Sequence, residues 1–148
     1  MNVRIASTDS EIDACFPVMC ELRPHLERTA FVAIVREMQK DGYALAYLTA
    51  PEGVVSVAGF RVMRTLFCDR FLYVDDLVTA SAARSKGYGR VLLEWLKDRA
   101  RMEGCAQLHL DSAMHRKDAH RFYSANAMQT TGYHFHFEIE PRVPWKAR

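Results

Sequence analysis

The sequence predicts an α/β (mixed α+β) fold, a twisted mixed sheet of about six to seven strands flanked by helices. Two observations carry that prediction. Two helical patterns near the amino-terminal end give way, after Gly42, to three successive strand patterns with short connections. A strand, a glycine-bearing turn, an amphipathic helix and a further strand then follow across residues 70–111. Short connections favour antiparallel pairing among the first three strands. A strand–helix–strand unit predicts a right-handed parallel crossover.

The elements follow in order. Residues 3–6 alternate weakly and can open a sheet. "STDSEIDACF" supplies helix-capping residues with an acidic residue three positions on, and a helix follows through Val18, Met19 and Leu22 until Pro24 interrupts it. "ERTAFVAIVREMQKDG" places Phe31, Ile34, Val35 and Met38 at helical spacing, with Gly42 as its stop. "YALAYLTA", "VVSVAGFRVMRT" and "RFLYVDDLVT" read as strands rich in branched and aromatic residues. In "RSKGYGRVLLEWLKDR", Leu92, Leu93, Leu96 and Ala100 form one face of a helix that Gly104 ends. "AQLHLDS" is a strand and "KDAHRFYSANA" a short helix. "YHFHFEIE" closes as a strand, with His134, His136 and Glu138 on one side and Phe135, Phe137 and Ile139 on the other.

The 148 residues are expected to form one domain, 1–148, long enough to bury a core without disulfides or metals. A net charge of +2 argues against nucleic-acid or membrane-surface binding, although local basic clusters can grip a single anionic ligand. Cys15, Cys20, Cys68 and Cys105 form no C-x-x-C pair and read as reduced, mostly buried thiols. No secretory signal or membrane-length apolar run is evident, so a cytoplasmic location is expected. His134 and His136 share a strand face without a clear third ligand, and no metal site is predicted.

The glycine turn carries the functional signal. A helix interior disfavours Gly by roughly 0.5–1 kcal/mol relative to Ala, so two glycines at one helix start imply a need for bare backbone. The first N–H groups of a helix lack internal partners and sit at the positive end of its dipole. A strand end, a glycine turn and a helix start together make an anion site, with Arg84, Lys86 and Arg90 at its rim. A solvated basic turn is the plain alternative. A dinucleotide fingerprint is excluded because Leu92 stands where its third glycine belongs, and no P-loop stretch occurs.

Arg84-Ser85-Lys86-Gly87-Tyr88-Gly89 resembles the [QR]-x-x-G-x-[GA] signature of the GNAT (Gcn5-related) N-acetyltransferases. The flanks strengthen the resemblance. "YVDDLVT" stands where that family places its central strand, and "AQLHLDS" matches the next one. "DAHRFYSANAM" resembles the family's A-x-x-x-Y-x-x-x-G-[FM] ending, with Ala119 and Tyr123 in register. The resemblance spans about residues 3–139 and is specific over 72–128. Two positions depart from it: Arg116 stands where many relatives carry Asn, and Ala127-Met128 replaces Gly-Phe.

The resemblance implies a GNAT-like acyl-CoA N-acyltransferase fold and an enzyme that moves an acetyl group from acetyl-CoA directly to a primary amine. It implies that the diphosphate lies on the amides of Ser85, Lys86, Gly87, Tyr88, Gly89 and Arg90, beside Arg84, with the glycines clearing room for it. The pantetheine arm would hydrogen-bond backbone near Leu77, Val78 and Thr79, with Arg116 and Phe122 close by. A backbone N–H near Leu77 would polarise the thioester carbonyl. Tyr123 aligns with the family's acid, which protonates the departing thiolate. A carboxylate takes the proton from the incoming ammonium. Asp75, Asp76 and Asp111 are the candidates, with Asp111 favoured, and strand alternation sends Asp75 and Asp76 to opposite faces. The acceptor groove implied by the family carries Glu21, Arg23, His25, Glu27 and Arg28, then His134, His136 and Glu138, a mix that suits a polar small-molecule or peptide amine. A homodimer is a further expectation from the family. An acyl-CoA sensor module without turnover is the alternative reading.

Overall fold

The structure, a computed structural model, describes residues 2–140. Strand β1 (Val3–Ile5) leads into helix α1 (Asp9–Leu22). Thr8 caps α1 by accepting from the Glu11 amide, while Glu11 reaches back to the Thr8 amide, the reciprocal pair anticipated from "STDSE". Helix α2 (Arg28–Lys40) follows, then strands β2 (Ala44–Ala50), β3 (Gly53–Thr65) and β4 (Asp69–Thr79). Helix α3 (Tyr88–Met102), strand β5 (Gln107–Leu110) and helix α4 (Lys117–Ala125) complete the described elements.

The five strands lie in chain order. The pairs β1–β2, β2–β3 and β3–β4 are antiparallel, and β4–β5 is parallel, with α3 as the crossover. The short turns after β2 and β3 permit only antiparallel return, whereas a parallel partner needs a long connection. Two apolar clusters occupy opposite faces. On one, α1 and α2 bring Ile12, Cys15, Met19, Phe31 and Val35 against Leu45, Tyr47, Val57 and Val78. On the other, Leu92, Leu96 and Ala100 of α3 cover Ala46, Ala58, Phe60, Leu72 and Val74. The central strands are therefore apolar on both sides, which is why β2 and β3 read as near-continuous apolar runs. No helix among the described residues is long and apolar enough to cross a membrane.

Two expectations are corrected here. The sheet has five strands among the described residues, not six to seven. Residues 133–140, expected to be the last strand from their alternation, make no ladder and stand exposed. Alternation states which sides of a strand differ. It supplies neither the edge nor the core face that a strand needs, and the chain beyond α4 reaches neither.

Candidate active site

The β4–β5 ladder spans only Phe71–Val74 against Gln107–Leu110. Beyond Val74, β4 keeps its pairing with β3 as far as Thr79, but among the described residues no strand pairs with its outer edge. Strand β5 itself ends there, so the outer edge of residues 75–79 has no strand partner among the described residues. A register shift between Gly59 and Phe60 lies at the same level and makes Asp75 an extra residue in β4.

That shift decides where the carboxylates go. Val74 and Leu77 both pack towards α3, whereas Asp75 and Asp76 between them both meet the α1–α2 side. The expected opposite-face placement of Asp75 and Asp76 does not occur, because a bulge interrupts the two-residue period that it assumes. Asp75 accepts from Arg61 Nη2 at 2.7 Å and Nε at 3.1 Å. Asp76 accepts from Arg23 Nε at 2.8 Å and from Tyr43 Oη at 3.1 Å. Arg23 Nη2 also donates to the Asp75 carbonyl at 3.0 Å, and the Arg61 guanidinium lies 5.6 Å from the centre of the Tyr43 ring. Burial, and then the neighbouring Asp76 charge, hold the Tyr43 phenol well above its ordinary pKa, so it stays a donor.

Asp111 follows β5, more exposed than the other two carboxylates. Tyr73 Oη donates to its Oδ2 at 2.5 Å, and His134 Nδ1 lies 3.5 Å from Oδ1. Burial first, and the bond to Asp111 second, raise the Tyr73 phenol. No arginine pairs with Asp111 among the described residues. Its carboxylate is therefore the most accessible of the three, whereas arginines hold those of Asp75 and Asp76.

The glycine turn sits where β4 ends. A single 3-10 turn, Ser81–Ala83, leads through Arg84 to Gly87, the N-cap of α3, whose φ of 85° is left-handed. No side chain caps α3, so its first amides are free to bind an anion. Ser85, Lys86 and Arg90 are exposed around it, as is Arg84, which donates to the Thr79 carbonyl at 3.3 Å. The two glycines do different work. Gly87 supplies a backbone conformation that L side chains rarely adopt, and no atom lies within 4 Å of where its Cβ would stand. At Gly89 a Cβ would lie 3.2 Å from Thr79 Oγ1 and 3.6 Å from the Phe122 ring. It lets the end of β4, the start of α3 and α4 come close together. Ser56 fixes the same junction from below: it is fully buried, donates to the Val78 carbonyl at 3.0 Å and lies 3.0 Å from Thr79 Oγ1.

Helix α4 carries Tyr123 and Phe122, whose rings meet edge-on at 5.4 Å. Burial raises the Tyr123 phenol, with Arg116 opposing the rise. Its hydroxyl has no protein hydrogen-bond partner among the described residues. Lys97 of α3 ties α4 in place by donating to the Asn126 carbonyl at 2.8 Å.

A cavity of about 270 Å³ opens beneath α1 and α2. Met19, Leu26, Phe31, Ile34, Val35 and Met38 line it, and Asp76, Arg23, His25 and Tyr43 are its polar groups. Sequence reasoning placed Arg23 and His25 in a general acceptor groove. It missed Tyr43, Arg61 and Tyr73, which hold the three carboxylates. Their only sequence signal was a polar tip in an otherwise apolar strand or turn.

The acetyltransferase (GNAT) family model matches residues 7–127. The uncharacterized N-acetyltransferase YhdJ of Bacillus subtilis (strain 168) is 36% identical over 125 residues, covering 84% of this chain and 88% of the relative. Aminoalkylphosphonate N-acetyltransferase of Salmonella typhimurium is 27% identical over 141 residues, covering 87% and 86%. Among solved structures, AAC(6')-Iy in complex with a bisubstrate analogue shares the fold, with a TM-score of 0.81 at 14% identity over 94% of this chain and 97% of that one. With a family model spanning most of its length and a relative more than one-third identical, the chain belongs to the acetyltransferase (GNAT) family and is an N-acetyltransferase.

Proposed function

We propose that the chain transfers the acetyl group of acetyl-CoA to a primary amine bearing an apolar arm. The observation that carries this reading is the unpaired outer edge of β4 beyond Val74, which leads to a helix start without a side-chain cap. The residues there fit coenzyme A: free amides at the α3 N-terminus with Arg84, Lys86 and Arg90 around them, and an unpaired strand edge leading away. On this reading the amides of Ser85, Lys86, Gly87, Tyr88, Gly89 and Arg90 bind the diphosphate. Backbone groups at Leu77, Val78 and Thr79 receive the pantetheine arm as an added strand would be received, with Arg116 and Phe122 alongside. Acetyl-CoA, when bound, supplies the acetyl group as an activated thioester.

The chain's own groups then handle the protons. An ammonium of ordinary pKa, about 10.4, is almost wholly protonated at neutral pH and must lose a proton before it can attack. Asp111 takes that proton, its carboxylate oriented by the short bond from Tyr73. The Leu77 amide polarises the carbonyl under attack. Tyr123 holds the proton that the departing sulfur requires. Asp75, paired with Arg61, is a structural group here, and Asp76, held by Arg23 and Tyr43, lines the acceptor cavity. Free cysteines are consistent with a cytoplasmic setting.

The acceptor class follows from the cavity. Its apolar walls suit an alkyl or aryl arm, and Asp76 and Arg23 at its polar side suit a cationic and an anionic end respectively. The Salmonella relative is named for aminoalkylphosphonates, which combine an amine, an alkyl stretch and an anion. The test is acetyl-CoA turnover, read as thiol release, over amines that differ only in their arm. Alkyl and aryl amines are expected to show a kcat/KM at least about tenfold above polyamines of similar length, since two buried CH₂ groups contribute about 1.6 kcal/mol. Leu26→Trp, which fills the cavity, should erase that preference while sparing turnover of the smallest amines. Thiol release that is indifferent to the arm would overturn the acceptor class alone. Binding of CoA without thiol release from any amine would instead favour the sensor reading.

Gly87→Val should weaken CoA binding about tenfold by calorimetry. A left-handed φ costs a non-glycine residue roughly 1–2 kcal/mol, and relieving it turns the amides away from the anion. The open space around Gly87 means that the effect comes from backbone conformation, not from filled volume. Wild-type affinity in this variant would remove the turn from the binding site.

A further inference from the structure

Glu21 stands against the rules of the helix that carries it. It lies in the last turn of α1, at the negative end of the helix dipole, where no basic residue offsets it. A local rule broken without a local gain points to a task elsewhere in the fold. The family resemblance puts Glu21 in the acceptor groove, but its side chain does not line the cavity and turns to the glycine turn instead.

Glu21 Oε2 accepts from the Ser81 amide at 2.9 Å and lies 3.8 Å from Arg84 Nη2. Arg84 Nε also donates to the Thr79 carbonyl at 3.3 Å, so this guanidinium is held between the end of β4 and α1. A second carboxylate reaches the turn from another connection. Glu52, between β2 and β3, places Oε1 4.0 Å from Lys86 Nζ. Arg84, Lys86 and Arg90 border the turn, and the first two thus face carboxylates of the chain itself.

Hydrogen bonding alone does not require either charge. A neutral side-chain oxygen would satisfy the Ser81 amide equally well, and Lys86, more than half exposed, is satisfied by water. What the two charges add is competition. An anion drawn to the turn must take Arg84 from Glu21 and Lys86 from Glu52, and it then sits beside two negative charges. On the cofactor reading above, we propose that Glu21 and Glu52 are built-in counter-anions of the turn. They hold Arg84 and Lys86 in the free protein and yield them to the diphosphate, so that they moderate the grip on coenzyme A. The diphosphate is the same before and after acetyl transfer, so a tighter turn would hold the spent cofactor as firmly as the loaded one and add nothing to the chemical step.

Calorimetric titration of the full chain with coenzyme A tests this. Glutamine keeps an oxygen for the Ser81 amide and removes only the charge. Glu21→Gln and Glu52→Gln are each expected to tighten coenzyme A about threefold, the size of an exposed ion pair. Together they should give about tenfold, since each carboxylate acts on its own cation. The gains should fade at about 1 M salt, where the screening length is roughly 3 Å. Unchanged or weakened affinity in both variants overturns the counter-anions, and so does a gain that salt leaves intact. Inorganic diphosphate, titrated in parallel, separates this outcome from the cofactor reading. Variants that gain affinity for diphosphate while no form of the chain binds coenzyme A would keep the counter-anions and overturn that reading. Equal coenzyme A binding by all forms overturns the counter-anions alone. If Glu21→Gln fails to melt cooperatively, Glu52→Gln decides by itself.

Discussion

Tyr123→Phe is expected to lower kcat by roughly 10²-fold or more while leaving CoA affinity and thermal stability close to wild type, the loss typical of removing a positioned general acid. The structure makes this a clean substitution. Among the described residues the Tyr123 hydroxyl has no partner, so removing it breaks no hydrogen bond there, and the ring keeps its contact with Phe122. Burial raises its pKa, so the phenol keeps its proton throughout the neutral range. On the proposed reading, a half-buried phenol with no hydrogen-bond partner among the described residues, next to Phe122 that closes on Gly89, is free to serve as the acid. A thiolate leaving group has a conjugate acid near 8.5, so a raised phenol gives up its proton only as negative charge builds on sulfur. Arg116 opposes the rise by favouring the phenolate, which eases that transfer. Thiol release and a calorimetric CoA titration on the same preparation check the prediction. Unchanged kcat would remove Tyr123 from the chemistry. A parallel loss of CoA affinity would make it a binding residue.

Tyr123 could be singled out in the sequence only through the resemblance of "DAHRFYSANAM" to the family's ending, whereas the elements around it were legible by range. Local periodicity decides local structure. The spacing of Phe31, Ile34 and Val35 gave α2, that of Leu92, Leu93 and Leu96 gave α3, and short connections gave antiparallel β2–β3–β4. The glycine turn was legible because its chemistry is local too: φ at Gly87 and free amides at one helix start. The carboxylate network was not. Asp76 meets Arg23 across 53 residues, and Asp111 meets Tyr73 across 38, and nothing in the spacing of the sequence encodes such partners. The bulge at Asp75 belongs to the pairing of two strands, so a reading of β4 alone kept the two-residue period and separated Asp75 from Asp76. Residues 133–139 show the converse. Their alternation states a demand for a sheet edge, and among the described residues no strand pairs with them.

The largest stability effect is expected at Gly59, far from any turn. Gly59 lies opposite Asp76 in the ladder at the bulge, and a Cβ there would stand 2.0 Å from Tyr43 Oη and 2.5 Å from two carbons of its ring. The ring has little room to retreat. Tyr43 is 5% exposed, packed in the α1–α2 core, with the Arg61 guanidinium facing its ring. Gly59→Ala therefore forces the ring away and takes its hydroxyl from Asp76. Overpacking of this kind costs roughly 1–3 kcal/mol, and a buried hydroxyl left without its acceptor adds about 1–3 kcal/mol. A net loss of about 3 kcal/mol lowers Tm by roughly 6–12 °C in a domain of this size. The cause can be isolated with Tyr43→Leu, which removes the obstructing ring. If the clash is the mechanism, Gly59→Ala should cost far less in the Tyr43→Leu background than in the wild type, a coupling of at least about 1 kcal/mol. Additive losses would place the cost in the backbone instead, and a stable Gly59→Ala protein would mean that Tyr43 does not hold Asp76. The coupling also bears on function. Because Tyr43 and Arg23 together fix Asp76 at the polar side of the cavity, a displaced ring should raise KM for the amine more than it lowers kcat, with CoA affinity unchanged.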